Sequence, residues 1–419
     1  MTDQIERLKS LIEDQRAFRA ECLNLIASEN TPSPFVESMI VEELNRRYGF
    51  YSGTDPDNQH YQGTQHVAEL EKLAQEAAQD LFGAKYVDLR ALSGNIAGII
   101  SMFALGSPGD VVLEVQNAHQ YANKLATSGL KVDLKPIAIP WDGQRYNVDL
   151  DATRELIESH KPKLVVLGSA MFLFPQPVRE IRDAMDKHCP ESILIYDAAH
   201  VMGLIAGGRF QQPLAEGADV IITSTHKTLA GPQGGMILTN NSALYERIGE
   251  ATAPLIIANH HLARIPALAA TFLEWKACGS AYADAIIANA KALGKALEAR
   301  GVPIVGAEYG YTESHTVLAV VDAFGEAKAV ADRLESNGII VGGTGVPEEY
   351  GRHGLRIGVQ EVTRFGMTEA DAEEVADCMV KAMTVKGQNA KHQVAALNGR
   401  FSRMLFTIEN RSRNQSGSL

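Results

Sequence analysis

Apolar residues recur at helical spacing near the start of the chain, where Ile5, Leu8, Leu11, Ile12 and Phe18 predict an amphipathic helix over residues 4–22. Between about residues 85 and 240 the pattern changes. Short β-branched or apolar runs, at 86–92, 110–115, 163–168, 193–197, 219–223 and 235–238, alternate with helical stretches. That alternation predicts an α/β fold: a mostly parallel sheet flanked by helices on both faces. Residues 262–300 read as one long helix through Ala-rich stretches. Beyond Gly301, strands at 303–305, 316–321 and 339–341 and a helix at 327–336 predict a smaller C-terminal α/β domain. The expected division is a helical arm at 1–30, a large domain at 31–275, a small domain at 276–408 and a polar, frayed tail at 409–419.

Length agrees with that division, since 419 residues suffice for one large core and a smaller one. The formal net charge of -12 comes with no basic stripe, so a nucleic-acid partner is not expected. No apolar run approaches the length of a membrane span, and the opening MTDQIERLKSLIEDQ is charged and unlike a secretory leader. The expectation is a cytoplasmic enzyme with no membrane partner. Cys22, Cys189, Cys278 and Cys378 lie far apart with no CxxC pair, so they read as reduced thiols, and no metal site is expected.

The candidate chemistry centres on Thr223-Ser224-Thr225-His226-Lys227-Thr228, an apolar strand running into a Gly/Pro-rich turn. A lysine among hydroxyls suits an amine that forms a Schiff base with a cofactor aldehyde while the hydroxyls hold a phosphate nearby. Ser93-Gly94-Asn95 opens a helix, where small residues expose backbone N–H groups to a phosphate. Asp197 ends an apolar run, placing a carboxylate at the crevice edge of a parallel strand, where it can hold a protonated pyridine nitrogen. His119 follows a strand in a polar loop and can stack on a cofactor ring, and Arg356 can clamp a carboxylate bidentately. Together these fit a pyridoxal 5′-phosphate site. Each piece alone has a plainer alternative: a solvated turn, a capped helix, a capping aspartate, a lone loop histidine, a surface ion pair.

Assembled in order, the motifs resemble the serine hydroxymethyltransferase family from about Leu23 to Met379. They include Leu25-Ile26-Ala27-Ser28-Glu29-Asn30, Tyr196-Asp197-Ala198-Ala199-His200 and Thr225-His226-Lys227-Thr228. Gly168-Ser169-Ala170-Met171-Phe172-Leu173-Phe174-Pro175 and Gly358-Val359-Gln360-Glu361-Val362-Thr363-Arg364 are similar to its archaeal-type branch. The resemblance implies a fold-type I pyridoxal-phosphate transferase, a homodimer with sites at the subunit interface. It would make or break the Cα–Cβ bond between a serine- or threonine-like substrate and glycine plus an aldehyde or one-carbon unit. It also implies roles. Lys227 matches the Schiff-base lysine, Asp197 the pyridine-nitrogen partner, His200 the residue near the phenolic oxygen and His119 the stacking histidine. Ser93, Gly94 and His226 match phosphate-side contacts, with Asn95 beside them and Ser224 in the place of a polar threonine. Ser28, Tyr61 and Arg356 match groups around the substrate amino acid, and Tyr48 a tyrosine lent by the neighbouring subunit.

Three departures bear on the substrate. Phe50 stands where folate-dependent members carry a glutamate, and phenylalanine neither donates nor accepts a proton. Asp55, Asp57 and His60 are the candidates to replace it. Glu114 and Gln120 align with leucines that sandwich folate, and polar groups weaken an apolar pterin slot. The Gly-rich phosphate loop is replaced by residues 253–262, whose Asn259-His260-His261 is expected to reach the partner's phosphate or to cap the next helix. A reduced pterin therefore stays open as a second cofactor. A pterin-independent threonine aldolase or transaldolase is the first alternative, and another pyridoxal-phosphate reaction such as transamination the second.

Overall fold

The computed structural model describes residues 2–116, 118–128, 132–384 and 389–409; the expected tail from 410 onward lies outside them. The chain divides into two compact units. One comprises residues 28–284 with the last described residues from 406, the other the N-terminal residues to 27 with 285–405. The boundary lies inside one unbroken helix, Ile265–Glu298, and not at 275. The N-terminal segment has no unit of its own, because Leu23–Asn24 pairs in parallel with Ile339–Ile340.

The larger unit is built on a seven-stranded sheet. Its strands are β1 (Tyr86–Asp88), β2 (Val111–Val115), β3 (Lys135–Ile139), β4 (Leu164–Gly168), β5 (Ile193–Asp197), β6 (Val220–Ser224) and β7 (Gly235–Thr239), in the order β1-β7-β6-β5-β4-β2-β3. Strands β2 to β6 pair in parallel; β7 runs antiparallel to both β6 and β1. Strands β4 to β7 are buried along their whole length, which is why they read as continuous apolar runs. Strand β3 went undetected because it is an edge strand, half-exposed, with Lys135 and Pro136 in it. On one face, alternate residues Val112, Leu164, Val166, Ile193, Ile195, Val220 and Ile222 pack with Ile100, Met102 and Leu105 of the helix Gly94–Leu105. Burying each such aliphatic side chain contributes about 1.5–3 kcal/mol.

Register brings the chemistry to one edge. Asp197 pairs with Gly168 and Ile222, and Ser224 with Gly235. The carboxyl ends of β4 and β5 therefore finish level and β6 runs two residues further, so all three end at the edge where ligand crevices of such sheets lie.

The smaller unit holds a three-stranded antiparallel sheet of β8 (Thr316–Val320), β9 (Gly342–Gly345) and β10 (His353–Gly358), in the order β8-β10-β9. The helix Ala327–Ser336 forms as expected. Residues 303–305 are not a strand; Ile304 makes only an isolated bridge to Ala319. The N-terminal helix Thr2–Ala20 also forms, but Ile5, Leu8, Leu11, Ile12 and Phe18 are all exposed and uncovered among the described residues. Among the described residues no helix is long and apolar enough to cross a membrane, and no group of three or more His, Cys, Asp or Glu side chains is placed to hold a metal ion.

Candidate active site

Asp197 is the last residue of β5 and is 1% exposed. Its Oδ1 accepts the Ala199 N–H at 3.0 Å. Its Oδ2 accepts His119 Nδ1 at 2.6 Å and the Tyr121 hydroxyl at 2.9 Å. Burial by itself would push this carboxyl up. The His119 hydrogen bond and charge, the Ala199 N–H and the field of Lys227 outweigh it and hold Asp197 below the usual carboxylate range. An ionised carboxylate only accepts, so Nδ1 is the protonated nitrogen of His119. Two carboxylate oxygens offer about four acceptor positions. Three donors leave room for one more on Oδ1, which is what a protonated ring nitrogen needs.

Lys227 lies in the connection between β6 and β7, half-buried. The connection is closed by Thr225 N–H to Gly234 O (3.1 Å), Gly231 N–H to Thr225 O (2.8 Å) and Ala230 N–H to Lys227 O (2.9 Å). The Trp275 indole N–H donates to Leu229 O at 2.6 Å and pins it further. The hydroxyls flanking the lysine brace this loop. Thr225 Oγ1 donates to Pro232 O, Thr228 Oγ1 donates to His200 O while accepting from Gly203 N–H, and Ser224 Oγ donates to Ala199 O. These buried donors take the nearest carbonyls because leaving them unpaired costs more than the fold can spare.

The other residues assigned to the phosphate side are Ser93, Gly94 and Asn95 at the start of the helix Gly94–Leu105, and His226. Ser93 caps the helix Gly94–Leu105 by accepting the Ile96 N–H at 3.1 Å. A Cβ on Gly94 would stand 3.0 Å from Ser224 N, a tight contact, so glycine lets this helix N-terminus abut the end of β6 without displacing it. Asn95 is exposed in the same first turn. A helix N-terminus placed there presents N–H groups and positive potential to an anion. Beside it, His226 Nδ1 is buried with no partner among the described residues. Burial, then the charge of Lys227, holds the His226 imidazole below its ordinary value, favouring the neutral ring. His119 stacks at 6.3 Å on the buried His200 and at 5.7 Å on Tyr121. The residues present fit pyridoxal 5′-phosphate: a lysine, an ionised aspartate with an acceptor position left, and an N-terminal helix turn next to an orphaned imidazole nitrogen.

The remaining assigned residues lie in three places. Ser28 is half-buried in the larger unit, and Arg356 is half-buried on β10 of the smaller one, opposite Leu318 and Gly342. Tyr48 and Tyr61 are both exposed, their rings 4.8 Å apart. Assigned to different parts of the machinery, they form one pair, so whichever site receives Tyr48 also receives Tyr61. Beside them His60 meets Phe50 edge to face at 4.6 Å. Asp55 accepts the Asp57 N–H and Asp57 pairs with Lys72, which leaves His60 as the candidate for the missing glutamate's work. The loop is anchored by Gln59 Nε2 donating to Glu71 Oε1 (3.2 Å), which also pairs with His260 (2.6 Å), and by Gly49 N–H donating to Asn259 Oδ1 (3.2 Å). His260 is thus committed to the interior, and only His261 of that pair is exposed.

Tyr121 escaped sequence reasoning and was not singled out at all. Glu114, aligned with a leucine that sandwiches folate, is 3% exposed, and its two oxygens accept Ala122 N–H (2.9 Å) and Asn123 N–H (3.0 Å). A carboxylate inside the apolar run of β2 was the available signal, because a buried acid must find donors.

A carboxyl-edge crevice holding Lys227 and Asp197 defines a fold-type I pyridoxal-phosphate enzyme. The comparisons agree. The serine hydroxymethyltransferase family model matches residues 1–379. A serine hydroxymethyltransferase of Saccharolobus islandicus is 38% identical over 417 residues, 97% of this chain and 95% of that protein. One from Sulfolobus acidocaldarius is 38% identical over 420 residues, with the same coverage. The solved structure of an L-threonine transaldolase from Pseudomonas fluorescens, in its internal aldimine state, superposes with a TM-score of 0.88 at 28% identity, covering 98% of this chain and 95% of that one. The chain belongs to the serine hydroxymethyltransferase family.

Proposed function

We propose that this enzyme makes and breaks the Cα–Cβ bond of a β-hydroxy amino acid of the threonine or serine type, with glycine as one partner and an aldehyde as the other, without requiring a pterin. The observation that carries the chemistry is Asp197, buried, ionised, within the field of Lys227 and with one acceptor position left. Pyridoxal 5′-phosphate supplies the electron sink that makes Cα–Cβ cleavage feasible. Lys227 is assigned the amine that carries the cofactor, and Asp197 keeps the ring nitrogen protonated. Ser93, Gly94, Asn95, Ser224 and His226 are assigned the phosphate side, and His119 and His200 the ring. Arg356 is assigned the substrate carboxylate, where a bidentate guanidinium fixes which Cα bond is aligned for cleavage. Ser28 and Tyr61 complete the substrate contacts.

The pterin-independent half rests on the Phe50–His60 pair, an apolar ring and an imidazole where folate-dependent members carry a carboxylate. The L-threonine transaldolase likeness favours the same side. A homodimer with shared sites is part of this proposal, supported by the exposed Tyr48–Tyr61 pair and the uncovered stripe on the N-terminal helix. A cytoplasmic setting accords with four free cysteines. The test is release of glycine from serine and threonine, and of alanine from their α-methyl analogues, with and without reduced pterin, with sedimentation to give the assembly state. Rates on threonine-type substrates that ignore pterin support the proposal; strong pterin enhancement with serine overturns its second half and restores one-carbon transfer.

A further inference from the structure

We propose that Tyr121 is a positioning residue, its hydroxyl holding the Asp197 carboxylate ionised and turned toward the cofactor's ring nitrogen. The inference rests on the assignment of Asp197 above. Tyr121 is 3% exposed, and its hydroxyl donates to Oδ2 at 2.9 Å. Nothing local compels a tyrosine here; the fold makes room for one. A Cβ on Gly98 would come within 2.2 Å of the Tyr121 ring, so the helix Gly94–Leu105 accommodates the ring only because residue 98 is glycine. The backbone behind it is fixed as well. Tyr121 begins the helix Tyr121–Thr127, whose first turn is held by the Glu114 carboxylate through the N–H groups of Ala122 and Asn123. Glu114, placed in β2 by the sheet, thereby sets where the phenol stands.

The phenol and His119 divide the work on Oδ2. His119 is partly exposed and stacked, so its position follows whatever lies against its ring. Tyr121 is enclosed and cannot follow, and it keeps the carboxylate from rotating about its own bond. A donated hydrogen bond also stabilises the anion over the acid. The charged and titratable groups around this carboxylate are His119 and Tyr121 in direct contact, Lys227 through its charge, and His200 behind His119.

The test uses the full-length protein, stripped of cofactor and titrated with pyridoxal 5′-phosphate, together with the pH midpoint of the cofactor's visible absorbance band. Tyr121→Phe keeps the ring that fills the space beside Gly98 and removes only the donor. The expected result is about tenfold weaker cofactor binding. The band midpoint is expected to move upward by about one pH unit. A carboxylate that draws the proton from the ring leaves the ring less cationic, and the Lys227 linkage then keeps its own proton to higher pH. A fluorinated tyrosine at 121, a stronger donor of similar shape, moves the midpoint the other way and serves if the phenylalanine variant does not fold. Affinity and midpoint unchanged in Tyr121→Phe, with both altered in Asp197→Asn, overturn the role of Tyr121 and leave Asp197 standing. If Asp197→Asn itself changes neither, the assignment of Asp197 fails first.

Discussion

The Asp197 corner and the loop 48–61 belong to the same unit of the chain, yet they are held in opposite ways. Asp197, Tyr121 and Glu114 are buried, and every contact among them crosses from one element of the sheet layer to another. The loop exposes Tyr48, His60 and Tyr61, which mostly touch one another, and it is tied down at its base through Gln59 and Gly49. The buried corner retains the groups that pyridoxal-phosphate chemistry needs. The exposed loop is where Phe50 stands, at the position that the resemblance gives to the family's glutamate. Groups that hold a shared cofactor are constrained by packing on all sides, whereas a loop that meets the variable part of a substrate can change one residue without disturbing a core.

The strongest way to test that contrast is to remove the amine. Lys227→Ala is expected to lower turnover by on the order of 10³-fold while leaving the melting temperature nearly unchanged; a variant with full turnover would sink the role given to the lysine. Next, Glu71→Ala strikes the base of the loop. It leaves His260 and Gln59 without their carboxylate in a buried setting, and unfolding by urea should show a loss of about 3 kcal/mol. If turnover on threonine falls much further than cofactor affinity in the same variant, the loop acts on substrate, as the comparison requires; equal falls would erase the distinction.

Phe50→Glu sharpens it from the other side. Restoring a carboxylate beside His60 is expected to introduce a pterin response of about tenfold in serine cleavage, below the usual range for a well-placed acid or base. The cofactor spectrum should stay as it was. A spectrum that changes with Phe50→Glu would mean that loop and corner are one site electrostatically.

The smallest effect concerns pH. The folded-state value of Asp197 lies below its unfolded value, so its ionised form adds stability above the ordinary carboxylate range of about 3.9. That stability is lost as pH falls through the depressed folded value. Unfolding curves between pH 7 and pH 3 should therefore be steeper in acid for the parent than for Asp197→Asn.

Much of this was visible before the fold. Strands β4 to β7 announce themselves because burial on both faces demands unbroken apolar runs, while β3 hides its role behind Lys135 and Pro136 at an edge. Lys227 and Asp197 could be picked out because each directly follows or ends such a run. Asp55 and Asp57 could not be told from His60, since their engagement with a turn and with Lys72 leaves no trace in spacing. The hydroxyls around Lys227 stood out as phosphate contacts, and spacing gave no sign that they also brace the loop, where a buried donor takes the closest carbonyl.

Sequence by itself marked the buried strands β4 to β7, Asp197 at the end of one and Lys227 just past another, and Phe50 where the resemblance expects a carboxylate. Those are local properties, written in periodicity and in which residue follows which. Only the tertiary structure decided that Tyr121 meets Asp197 across 76 residues and that His119 does so across 78. It also decided that Glu114 holds the first turn of the helix Tyr121–Thr127. Such contacts depend on sheet register and on a glycine that leaves room for a ring, and neither is a property of any segment read alone.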